Sequence, residues 1–187
     1  PLNEYVETNT IKVSMEEANQ YLDMKRRGSR IVANATSLCI LSPVPLIVLG
    51  TMTEDHTLIG FSLVFLLILV AIAVYLFVNY GLHESHMQHL EKESFETEYG
   101  VSGMVRERRD KYEPAFIRNT AIGVVLCILS VIPAIMAGVM ESDDSICGLS
   151  VGLLLIIVSI GVNILIRAGM IKSSYDTLLQ EGEYTKE

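Results

Sequence analysis

Half of the 187 residues are hydrophobic and only 19% are charged, with 22 acidic residues against 14 basic ones. The charges are also segregated: no Asp, Glu, Lys or Arg occurs in 31–53, 56–83, 119–140 or 145–166. A bilayer-spanning helix needs about 20 apolar residues, so the pattern excludes a water-soluble enzyme, a secreted disulfide scaffold and a disordered tail. It predicts an all-α, polytopic membrane protein with four transmembrane helices.

The leader, 1–30, is polar and begins at Pro1 rather than Met. No cleavable signal peptide is readable in it, and the chain is expected to continue a longer or processed protein. Ser14-Met15-Glu16-Glu17 is a capping box that opens a helix. Met15, Ala18 and Leu22 are expected on one face of that helix, which should run on towards the first span.

The first transmembrane hairpin is expected over 31–82. Pro45 lies inside its outgoing span, with Pro43 beside it. A proline there removes a backbone hydrogen bond and kinks the helix, and Ser42 can bond the freed carbonyl. Ser42 and Pro45 are therefore structural or gating candidates. Asn34 and Asn79 lie towards the charged ends of their spans. The outer turn, Glu54-Asp55-His56, is acidic.

A polar connecting segment, 83–118, follows. His83, His86 and His89 recur every third residue. On a helix that spacing drifts about 60° per step, so a solvated face is expected and a metal site is the weak alternative. Glu91 to Tyr99, with Gly100 and Gly103 after it, reads as a helix end and a turn. The mixed charges from Arg106 to Lys111 do not read as a nucleic-acid surface.

The second hairpin, 119–171, repeats the first. Leu38-Cys39-Ile40-Leu41-Ser42 with Pro45 recurs as Leu126-Cys127-Ile128-Leu129-Ser130 with Pro133, an offset of 88. The same offset carries Val13-Ser14 onto Val101-Ser102, Arg30 onto Arg118, Gly50 onto Gly138 and Gly60 onto Gly148. Ser130 and Pro133 join the gating candidates. Asn163 is the deepest polar residue and is expected to bond between helices. Gly148, Gly152, Ser159, Gly161 and Gly169 give the last span a face that backbones can approach closely. A tail, 172–187, completes the chain. Since each unit crosses the membrane twice, the two hairpins are expected as tandem parallel repeats about an axis along the membrane normal.

Every Lys and Arg lies in the leader, in the connecting segment, or at the inner end of the last span and beyond it, and the two outer turns carry none. By the positive-inside rule both termini are expected in the cytoplasm, with the chain multi-pass in the cell membrane. The spans contain no acidic residue of the kind an ion-coupled carrier uses. Catalytic, phosphate-binding and zinc-protease motifs are missing, and three scattered cysteines make no framework. No enzyme activity and no cofactor are expected.

The leader from Val13 to Asn19, the "LCILSPVPLIVLG" of the first span, "EKESFETEYGVSGMVRERRDKYEP" and "LLQEGEYT" together resemble the membrane-embedded C-terminal region of Xre-type helix-turn-helix regulators of Gram-positive anaerobes. The resemblance runs from about residue 12 to the end. It implies a DNA-binding domain upstream in the same polypeptide, with DNA a partner only through that domain. It brings no established catalytic or ligand residues. The expected function is a membrane anchor or sensor for a transcriptional regulator. The partners expected are the lipid bilayer, a homodimer mate and an unidentified small-molecule or lipid ligand. The alternative is a small permease or an exporter- or immunity-type membrane subunit.

Overall fold

The computed structural model describes residues 11–84, 95–139 and 143–179. Strand β1, Ile11–Val13, leads into helix α1, Met15–Leu41. A short helix α2, Val44–Met52, follows, and α3, His56–Glu84, returns. The second half runs in the same order: β2, Phe95–Thr97, then α4, Val101–Leu129, α5, Ile132–Val139, and α6, Asp144–Leu178. Four helical stretches are long and apolar enough to cross a membrane: Met15–Met52, His56–Leu82, Val101–Val139 and Asp144–Leu178. The protein is an all-α, multi-pass membrane protein.

Helices α1, α4 and α6 each run on past their apolar stretch into charged sequence. At 1.5 Å per residue, the 35-residue α6 is about 52 Å long, against a hydrocarbon core of about 30 Å. The excess lies at one end, where the starts of α1 and α4 meet the last turns of α6. Val13, Ala18, Tyr21, Leu22, Phe95, Val101, Val105, Tyr175 and Leu178 pack there into one buried cluster. This charged end therefore holds a compact core, while the spans expose most of their apolar side chains.

Local chemistry explains how that end is built. Ser14 caps α1: its Oγ accepts from the Glu17 amide at 3.3 Å, and Glu17 Oε2 accepts from the Ser14 amide at 2.9 Å. Such a box contributes about 1 kcal/mol. Helix α1 then continues without interruption from the polar leader into the first span. The face it buries is Ala18, Tyr21, Leu22 and Lys25; Met15, expected on that face, is exposed.

The helix end expected over residues 91–99 needs correction where it is described, while the turn stands at Tyr99 and Gly100. Phe95–Thr97 is a strand, parallel to β1 with Ile11 opposite Phe95 and Val13 opposite Thr97. The Glu98 amide extends the pairing by donating to the Val13 carbonyl at 3.1 Å. Phe95 and Val13 point into the core, and the register partners Lys12 and Glu96 stand exposed on the outside. Gly100, at φ 89°, makes the sharp turn into α4, a conformation glycine adopts without the usual steric cost.

The repeat is visible in the positions of the helix breaks, after Leu41 and after Leu129, and is not carried by the helix starts. Ser14 is the cap of α1, whereas Ser102 lies inside the first turn of α4. The packing is also uneven. Helix α6 sits centrally, with α1 on one flank and α4 on the other, and α3 packs on the far side of α1. Among the described residues α3 and α4 share no packed interface, so the helices form the row α3, α1, α6, α4.

Candidate functional site

Two features of the row bear on function: a polar clasp between α1 and α6 inside the spans, and the core at the charged end. In the clasp, Asn163 Nδ2 donates to Ser37 Oγ at 3.0 Å and to Asn34 Oδ1 at 3.2 Å. One turn away, Ser37 Oγ reaches the Ser159 carbonyl at 3.3 Å, and Ser159 Oγ reaches the Ser37 carbonyl at 3.4 Å. Asn163 thus bonds between helices as expected, and the reciprocal serine pair is a partner set that the sequence left unassigned. Hydrogen bonds of this kind contribute about 0.6 kcal/mol each in a bilayer. They also fix the register of two otherwise slippery apolar surfaces.

Close backbone approach accompanies the clasp. A Cβ built on Gly161 would lie 2.9 Å from the Gly123 carbonyl oxygen and 2.8 Å from Cys127 Sγ. Gly152 faces Val48, Gly148 faces Thr51 on α2, and Gly28 on α1 is covered by the Tyr80 ring. The glycines of that α6 face therefore serve two neighbours, α2 at the far end and α4 near the middle, while Ser159 meets α1. Gly169, expected on the same face, meets nothing.

The serine–proline candidates occupy matching breaks. Pro45 and Pro133 each stand second in a short helix, α2 and α5. Ser42 Oγ donates to the Cys39 carbonyl at 2.9 Å, and Ser130 Oγ to the Cys127 carbonyl at 2.6 Å. Both serines are buried. Pro43 has no amide hydrogen to offer Cys39, so Ser42 satisfies the carbonyl that Pro43 frees, a necessity where no water is available. In the second copy the Val131 amide turns to Ile128 at 3.4 Å, and Ser130 again fills the gap. The interruption is thus set by the serine pair together with the prolines.

At the charged end, Arg26 Nη2 lies 3.5 Å from the Tyr175 hydroxyl, and the Tyr112 and Tyr175 rings pack at 6.0 Å. Arg109 pairs with Asp176 at 3.7 Å, and Lys172 Nζ sits 4.5 Å over the Phe116 ring. These contacts tie α1, α6 and α4 together across the chain. Tyr21, Tyr112 and Tyr175 carried no motif. Their signal is the unusual placing of bulky aromatics on helices that had already left the apolar stretch.

Among the described residues no group of three His, Cys, Asp or Glu could hold a metal. His83 is on the last turn of α3, and His86 and His89 lie outside the described residues. No family model matches the chain, and neither a curated protein nor a solved structure does.

Proposed function

We propose that this protein is the membrane-embedded anchor and sensing module of a helix-turn-helix transcriptional regulator, with both termini in the cytoplasm. The observation that carries the reading is the charged-end core. It joins β1 and the first turns of α1 to α4 and α6, so a rearrangement among the spans reaches the leader through packed side chains. The resemblance of the leader and connecting segment to membrane-bound Xre-type regulators supplies the kind of domain that would be attached. Polar side chains that a transport path would use, Asn34, Ser37 and Asn163, are engaged with one another, which favours regulation over a permease.

Gating requires α1 to exist in two arrangements whose balance the spans bias. Asn19 lies in its fifth helical position, its side chain donating to the Met15 carbonyl at 2.9 Å. Proline there costs about 3 kcal/mol and breaks the rod. In a full-length regulator carrying Asn19→Pro, reporter output is expected to stop responding to inducing conditions while membrane insertion is unchanged. A variant that responds like the parent would leave a passive tether as the better reading.

Orientation is tested separately. Single cysteines replacing Glu54 or Asp143, in a background with Cys39, Cys127 and Cys147 removed, are expected to react with an impermeant thiol reagent added outside intact cells. Cysteines at Lys92 or Lys186 are expected to react only after permeabilisation. Protection of Asp143→Cys from the outside would refute the four-span topology.

A further inference from the structure

The basic residues fall into two groups that the fold keeps apart. Beyond the spans they have carboxylate neighbours: Arg109 pairs with Asp176, Lys111 with Glu107 at 2.6 Å, and Lys12 stands beside Glu96 across the strand pair. Where the apolar stretches begin, they do not. Residues 24–53, 114–140 and 145–175 contain no Asp or Glu at all. Yet the polar edges of these stretches carry Arg26, Arg27 and Arg30 on α1, Arg118 on α4, and Arg167 and Lys172 on α6.

Packing brings these edges to one level. On α1 and α6, Arg26 meets Tyr175 on one side of the tier and Asn34 meets Asn163 on the other. On α4 and α6, Phe116 meets Lys172 and Gly123 meets Leu165. Arg30, Arg118 and Arg167 each fall between those tie points, one from each of three adjacent helices, and all three are exposed. Among the described residues none of the three has a carboxylate partner. In a protein of net charge −8, this is a cationic collar at the depth where lipid headgroups lie.

We propose that the collar formed by Arg30, Arg118 and Arg167 binds the phosphate of anionic phospholipid headgroups, and that such lipid is a bound ligand of this protein. Guanidinium groups recognise phosphate through paired, charge-assisted hydrogen bonds. The leader's own acids leave Arg30 unpaired: Glu16 and Glu17 open α1, and Asp23, the nearest of them on that helix, stands seven helical positions before Arg30, about 10 Å away along the helix. One-sided charge would satisfy orientation alone. It would not require exposed arginines without a described carboxylate partner to fall at one level on three separate helices. The inference does not depend on the regulator reading.

Native mass spectrometry and thermal unfolding, with the full chain in zwitterionic detergent, test it. Phosphatidylglycerol is expected to remain bound and to raise the unfolding midpoint, whereas phosphatidylcholine and inorganic phosphate are not. A basic residue at an anionic surface contributes about 1 kcal/mol, so R30Q/R118Q/R167Q is expected to bind phosphatidylglycerol about a hundredfold more weakly at low salt. R106Q/R108Q, beyond the collar, is expected to change binding by no more than about threefold, and the corresponding triple lysine variant to retain most of it. If the glutamine variant fails to insert, salt decides on the unaltered protein. Protection should fade by about 0.5 M salt, as screening shortens to a few ångströms. Equal protection by phosphatidylcholine or by free phosphate, salt-independent binding, or undiminished binding by the inserted glutamine variant would overturn the proposal.

Discussion

Tyr21→Ala is expected to loosen the charged end of the protein while leaving the four spans in place. Tyr21 is completely buried, in a cluster with Leu22, Val105, Tyr175 and Leu178. Truncating a large buried aromatic costs about 3–5 kcal/mol, and this core is small enough that no second cluster can compensate. At about 1.4 kcal/mol per factor of ten, the open population of that end rises by at least about a hundredfold. Limited trypsin digestion is the direct measure. Cleavage between residues 12 and 30 and between 106 and 111 should accelerate, and amide hydrogen exchange in α1 and at the start of α4 should rise with it. Thiol labelling at the far turns should be unaltered. An unchanged digestion pattern would mean that the spans, and not this core, hold the ends of the helices together.

Gly161→Leu should have its effect inside the membrane. Even a methyl group at this position meets the Gly123 carbonyl at 2.9 Å and Cys127 Sγ at 2.8 Å. The first is backbone and cannot swing aside, so a leucine must push α4 from α6. Overpacking a close contact costs about 1–3 kcal/mol and sometimes more, and here it opens the closest approach of α4 to α6 within the spans. A cysteine pair placed across α4 and α6 should then lose most of its oxidative cross-linking, with α1–α6 cross-linking through the clasp retained. Gly169→Leu, at a position with open space around it, is the matched control and should cross-link as the parent does.

The spans, their number and the two proline-associated breaks were legible in the sequence because they follow from uncharged length and from the missing proline amide. Context limits even that rule. Pro114 lies within α4 without ending it, since the carbonyl it frees belongs to Asp110, outside the apolar stretch, where water can serve it. At Ser42 and Ser130 no water is at hand, and a side chain has to do so. The strand pair was not legible. It consists of three residues on each side, separated by 84 positions, and its stability comes from Val13 and Phe95 entering a core that forms only when three helices meet.

The uneven row was hidden by the repeat itself. An offset of 88 implies that α4 should meet α3 as α1 meets α6. The residues at the corresponding positions are Ile122 and Val125 on α4, and Ala71 and Tyr75 on α3. None of these can reproduce the clasp of Asn34, Ser37, Ser159 and Asn163. The four polar residues stand in the interface that is closed, and apolar residues and one tyrosine stand at the matching positions of the other. Asn34 and Asn163 were visible as polar residues within spans, but their mutual contact joins positions 129 residues apart, and no local pattern encodes it.

The parallel strand pair has a mechanical consequence. Because β1 and β2 run in the same direction, each feeding its own long helix, tension on the chain ahead of Ile11 loads the strand hydrogen bonds in shear. They resist together instead of peeling one at a time. Part of that load crosses to β2 and continues through the Gly100 turn into α4, while the remainder passes along α1. A pull or twist applied at a single covalent point is therefore divided between both halves of the chain. Traffic in the opposite direction obeys the same geometry, so a displacement of either hairpin is delivered to one strand edge.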